Sequence, residues 1–154
     1  LEIDHQPSAS QSDAELQMRW FQNEFGQIAA DWDYRGNVLG GRWRRIAYAA
    51  DMAADPPVVS MYIDGVSMGD KTSGNGFGKD GRFSLQPTAH LFTDAYYRTL
   101  SGYVNSIQIR SGRMSEGDVA ELGPASAGIP ADNSAAGQWD FENGNLEATV
   151  GQPL

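Results

Sequence analysis

A chain of 154 residues, 40% of them hydrophobic, has the length and apolar content of one domain around one core. Its formal charge of -9 and pI near 4.5 exclude the basic surface that phosphate recognition needs, so nucleic acid and anionic membrane are not expected partners. With no cysteine, disulfides, thiol catalysis and cysteine-ligated zinc are excluded as well.

Abundant glycine, tryptophan and tyrosine, with few long runs of Leu, Ala, Glu and Lys, favour short strands joined by tight turns. The expected class is all-β. No apolar stretch approaches the length of a spanning helix, and Leu1 follows no charged-then-apolar leader, so the N-terminus is expected to be a processing or cleavage product.

In chain order, a polar loop over Pro7 to Asp13 precedes Leu16, Met18 and Trp20, which alternate with Glu15, Gln17 and Arg19 as in a strand with one buried face. Ile28, Ala30, Trp32 and Tyr34 repeat the pattern. After Gly36, Gly40 and Gly41, a third strand runs from Trp43 to Ala50, and Asp51 opens a loop. Pro56 and Pro57 precede an apolar run from Val58 to Ile63, and Asp64-Gly65 separates it from Val66-Ser67-Met68. That pair predicts a hairpin, because both central residues of a type I′ turn need positive φ.

Gly69 to Gly81 reads as a long exposed loop, after which Phe83 and Leu85, then Leu91 and Phe92, resume short strands. Val104 to Arg110 is the next predicted strand. Ser115 then opens a short helix over 115–122: it can cap, Asp118 stands at the third helical position, Met114 can staple onto Val119, and Gly123 stops the run. Residues 124–137 are small and polar and read as a linker, followed by new strands at Gln138 to Phe141 and Leu146 to Val150 around Asn143-Gly144.

Three stretches, Gly41-Arg42-Trp43-Arg44-Arg45-Ile46-Ala47, Tyr62-Ile63-Asp64-Gly65 and Asp80-Gly81-Arg82-Phe83-Ser84-Leu85, resemble the tryptophan strand, hairpin and following strand of bacterial laminin-G-like domains. Leu91 to Asp94, Gly102 to Ile109 and the 115–122 helix follow in the order of that domain's C-terminal half. The resemblance implies an antiparallel β-sandwich, a concanavalin-A-like jelly roll, with residues 1–123 its C-terminal part. Trp139 to Gly144 is similar to the opening strand of such a domain. Residues 138–154 are thus expected either to begin a following domain or to complete the sandwich, which otherwise needs strands from another chain or a second copy.

Glu2-Ile3-Asp4-His5-Gln6 is similar to the start of the Glu-x-Asp-x-x-Glu strand of laminarinase-like glucanases, where alternate carboxylates act as nucleophile, helper and acid and a retaining pair lies about 5 Å apart. The last carboxylate is absent here, and neither Pro7 nor Ser8 can donate a proton as an acid, so no catalytic residue is assigned. His5 and His90 are the only histidines, and neither a Gly-x-Ser-x-Gly elbow nor a His-Glu-x-x-His pair is present.

Calcium is the ion the composition suits, because it takes loop oxygens such as those of Asp31, Asp33, Asp64, Asp70, Asp80 and Asp94, though not at EF-hand spacing. The resemblance implies a rim calcium, and Asp64, Asp80 and Asp94 are its expected ligands. Trp20, Trp32 and Trp43 alternate in phase with apolar neighbours and are expected in the core. Tyr96, Tyr97 and Asp94, with Asn75 in the 69–81 loop, are the expected ligand contacts, since aromatic rings stack on a pyranose while amides and carboxylates take its hydroxyls.

The function expected is that of a non-catalytic accessory module of a secreted bacterial protein, extracellular or periplasmic, which recognises carbohydrate or packs on a neighbouring domain. The alternatives are a piece of a larger secreted hydrolase, a phosphoesterase or glycoside hydrolase whose active site lies elsewhere, and an adhesin or structural interaction module.

Overall fold

The computed structural model describes residues 2–4, 15–19, 31–32, 42–72, 102–125, 129 and 134–153. These residues form antiparallel strands with one short α-helix, an all-β arrangement. Strands β1 (Glu2–Asp4), β2 (Glu15–Arg19) and β3 (Asp31–Trp32) pair in chain order, with Glu2 opposite Gln17 and Asp4 opposite Glu15.

The second sheet is β4 (Ile46–Asp51), β5 (Val58–Ile63) and β6 (Val66–Thr72), again paired in chain order. Its central strand is apolar at almost every position, as a strand covered on both faces must be. On one face Val59, Met61 and Ile63 form a buried cluster with Ile46, Tyr48, Met52 and Met68 around it. On the other, Ala49 and Tyr62 pack with Val119 of helix α1 (Glu116–Leu122), joined by Ala47 and Met114. Each fully buried apolar side chain here contributes about 2 kcal/mol of transfer free energy.

The β5–β6 connection is the two-residue turn that Asp64-Gly65 predicts, with φ of 53° and 81° and Ile63 paired to Val66. The first four residues of the expected loop, 69–72, belong to β6, and the rest of it lies outside the described residues. Gly69, at φ 111°, makes a bulge where the register shifts between Met61 and Tyr62, and β6 then continues to Thr72 opposite Val58.

Helix α1 forms as its sequence signals predict. The Ser115 hydroxyl accepts from the Asp118 amide at 3.2 Å, and the Asp118 carboxylate accepts from the Ser115 amide at 3.0 Å. Gly123 ends the helix at φ 61°. Both flanks are tied to the second sheet: Arg113 donates to the buried Ser60 hydroxyl at 2.7 Å, and Arg45 donates to the carbonyls of Leu122 and Gly123 at the other end.

The third sheet is β7 (Ser106–Arg110), β8 (Ala135–Asp140) and β9 (Ala148–Val150), with a 3-10 turn over Phe141–Asn143 between the last two. Strand β8 begins at Ala135, inside the segment expected to be linker. Small residues there serve packing: a Cβ on Gly137 would stand 2.4 Å from the Trp139 ring, so the bare glycine gives the indole its place. Trp139 is buried and its Nε1–H donates to the Gln152 carbonyl at 2.9 Å.

Candidate functional site: a polar ladder on the third sheet

Strand alternation divides the third sheet into two sets of positions. Ile107, Ile109, Gly137 and Trp139 occupy one set, and Gln108 with its partner Gln138 occupies the other, together with Arg110 and Asp140. The polar set is linked into a chain. Arg110 Nε donates to Gln108 Oε1 at 2.8 Å, Gln108 Nε2 to Gln138 Oε1 at 2.7 Å, and Gln138 Nε2 to Asp140 Oδ2 at 3.0 Å. A register shift in the β8–β9 pairing places Thr149 between the paired residues, and its hydroxyl donates to the same Asp140 Oδ2 at 2.7 Å.

The ladder therefore runs from a guanidinium to a carboxylate with every donor aimed the same way. Gln138 is 2% exposed, yet both ends of its amide are bonded, so its burial carries no unsatisfied polar cost. Both bonds to Asp140 fall on Oδ2, which leaves Oδ1 as an acceptor beside the exposed Thr149.

Each end of the ladder leads to a distinct surface. Beyond Asp140, the Phe141 amide donates to the Asn105 carbonyl at 2.8 Å and the Asn105 amide reaches the Glu142 carboxylate at 3.5 Å. Tyr103, two residues earlier on the same approach to β7, is 93% exposed. Beyond Arg110 lies an open cleft of about 180 Å³ whose lining includes Arg110, Gly112, Arg113, Asp118 and Ser134. The Asp118 carboxyl is held below its ordinary value by the Ser115 hydroxyl and amide, and the Arg110 charge acts in the same direction.

The residues that the sequence singles out are elsewhere. Asp64, an expected calcium ligand, accepts from Arg44 Nη1 at 2.8 Å and from the Arg45 amide at 2.9 Å, so its carboxylate fastens the β5–β6 turn to the start of β4. Asn75, Asp80, Asp94, Tyr96 and Tyr97 lie outside the described residues, as do His5, His90 and Trp20. Trp43 is not in the core: it is 56% exposed, because β4 begins at Ile46 and Trp43 precedes the pairing that would have buried it.

Sequence reasoning missed the ladder, although its trace is present. Gln108 between two isoleucines, and Gln138 and Asp140 on either side of Trp139, are polar positions alternating with apolar ones. What the sequence lacks is the pairing of residues thirty positions apart.

Among the described residues no group of three or more His, Cys, Asp or Glu is placed to hold a metal ion, and no helix is long and apolar enough to cross a membrane. The ladder holds its donors and acceptors in fixed positions, and at its far end the Thr149 hydroxyl and the Asp140 carboxylate stand in contact. Compared with family models, curated proteins and solved structures, the chain matches none.

Proposed function

We propose that the chain is a non-catalytic recognition module that holds carbohydrate at the Asp140 and Thr149 end of the polar ladder on β7, β8 and β9. The observation that carries this reading is the bonded series Arg110, Gln108, Gln138, Asp140 and Thr149, with exposed Tyr103 on the chain leading into it. Sugar hydroxyls both donate and accept, and the Asp140 end of the ladder offers a carboxylate and a hydroxyl whose rotamers are already fixed by the buried Gln138 amide and by one another, which lowers the entropic cost of binding. The Asp140 Oδ1 acceptor and the Thr149 hydroxyl are the ligand contacts, and Tyr103 supplies a ring face for a pyranose.

On the laminin-G-like resemblance, the module is a jelly-roll sandwich within a larger secreted bacterial polypeptide, where any catalytic centre belongs to other parts of the parent. A calcium ion on this reading draws on Asp80 and Asp94, with Asp64 committed to its turn.

A glycan array probed with the whole chain tests the reading, with and without EDTA. Binding to one class of polysaccharide is expected. Tyr103→Ala should weaken it about fivefold, the worth of one stacked ring, without altering the melting temperature. Silence across the array overturns the proposal in favour of an adhesive or packing role. Loss of binding in EDTA adds calcium to the site.

A further inference from the structure

The two ends of the ladder are chemically one-way, and its two middle members are not. A guanidinium carries only donors and an ionised carboxylate only acceptors, whereas a glutamine amide can be placed either way round. With Arg110 Nε donating to Gln108 Oε1, Gln108 Nε2 to Gln138 Oε1 and Gln138 Nε2 to Asp140 Oδ2, one orientation of the two amides satisfies every bond. Reversing Gln138 alone sets its oxygen against the Asp140 carboxylate and its amide nitrogen against that of Gln108. Reversing Gln108 as well turns its donor toward the Arg110 donor. Bulk water relieves neither fault at Gln138, which is 2% exposed. The amide pair is therefore a two-state element with one state selected from both ends. Arg110 and Gln108 have further contacts, but a guanidinium offers donors to all of them, so the Gln108 oxygen still faces Arg110.

We infer that Gln108 is a positioning residue for the carbohydrate contacts: its Nε2 hydrogens keep Gln138 donating to Asp140 Oδ2, which leaves Oδ1 to the sugar. The inference rests on the carbohydrate reading and adds to it a residue set back from the contacts themselves. Gln108 stands opposite Gln138, whereas Asp140 stands opposite Ser106, about 7 Å further along the strand. Thr149 also donates to Oδ2, but its hydroxyl is an exposed rotor, so the rigid hold on the carboxylate is the buried amide. That amide is fixed in turn by the donor that Gln108 supplies to its oxygen.

Calorimetric titration of the whole chain with cellohexaose, xylohexaose and galactohexaose tests this, alongside the side-chain amide signals in NMR spectra. Gln108→Glu keeps the shape and the acceptor facing Arg110 but replaces the donor facing Gln138 by a second acceptor, so Gln138 lies between two carboxylates. At pH 7 this variant should bind about fivefold more weakly and shift the Gln138 amide signal. Below about pH 4 the introduced carboxyl takes up a proton and donates again. The deficit relative to the unaltered chain at the same pH should then close and the amide signal return, which a loss of packing would not produce. Gln108→Met, which brings no charge into the strand, should weaken binding alike at both pH values. Unchanged affinity in Gln108→Met, or a Gln108→Glu deficit that persists in full at low pH, overturns the inference and leaves the carbohydrate reading standing. Failure of the unaltered chain to bind any of the three probes, or any glycan on an array, overturns the carbohydrate reading, and the Gln138 amide signal then decides alone whether Gln108 holds the carboxylate.

Discussion

Asp64 accepts from the Arg44 guanidinium and the Arg45 amide while its own backbone sits at φ 53°, so one residue supplies both the turn and its fastening. Burial pushes the Asp64 carboxyl up, but the Arg44 and Arg45 hydrogen bonds and the charges of Arg44 and Arg42 outweigh it and hold the carboxyl below its ordinary value. A carboxyl more acidic in the folded than the unfolded state adds stability that is full above the unfolded value, near 4, and is lost as pH falls through the folded value. Asp64→Asn keeps a residue tolerant of the left-handed turn and removes the charge. It should cost about 1 kcal/mol at pH 7, discounted for partial exposure, and progressively less below about pH 4, as urea unfolding at pH 7 and pH 3 would measure. Gly137 has the opposite character, since its value lies in what it lacks. Gly137→Ala drives a methyl into the Trp139 ring and should destabilise by about 2 kcal/mol, with a red shift in tryptophan emission as the indole is displaced.

Among the elements, those specified by neighbours in sequence were readable and those specified by distant partners were not. The Asp64-Gly65 turn and the Ser115 capping box are complete within four residues, so their geometry follows from residue type alone. The start of β4 lies later than the alternation from Trp43 implies, because that alternation begins before Ile46, the first residue paired to β5. The bulge at Gly69 was hidden for a similar reason: a glycine in a polar stretch signals loop until the opposing strand is known to continue. The ladder depends on strands β7 and β8 meeting across the whole of α1, and no local signal encodes that register. Helix α1 itself is too short to persist alone and depends on its cap and on Val119, which is 1% exposed. Ser115→Ala should cost about 1 kcal/mol and Val119→Ala about 2 kcal/mol, both read from denaturant midpoints with an unchanged slope.

Within each described sheet the strands pair with their chain neighbours, and the longest connection between paired strands runs through α1 from β7 to β8. The end of the small-residue segment is therefore integral to the third sheet, pairing with β7 from Ala135 onward. A chain ended at Ser134 should lose β8, the partner of β7, together with β9, and expose Ile107 and Ile109. Broadened thermal unfolding with dye binding to exposed apolar surface is the expected result, and a sharp unchanged transition would show that β7 finds other support.

The order β7, β8, β9 also determines how this sheet meets mechanical load. Tension applied from the C-terminal side of β9 reaches a three-residue strand first and loads its cross-strand hydrogen bonds in succession, as a zipper is opened. Asp140 and Thr149 lie on the same strands, so pulling from that side would loosen the surface proposed above to hold carbohydrate.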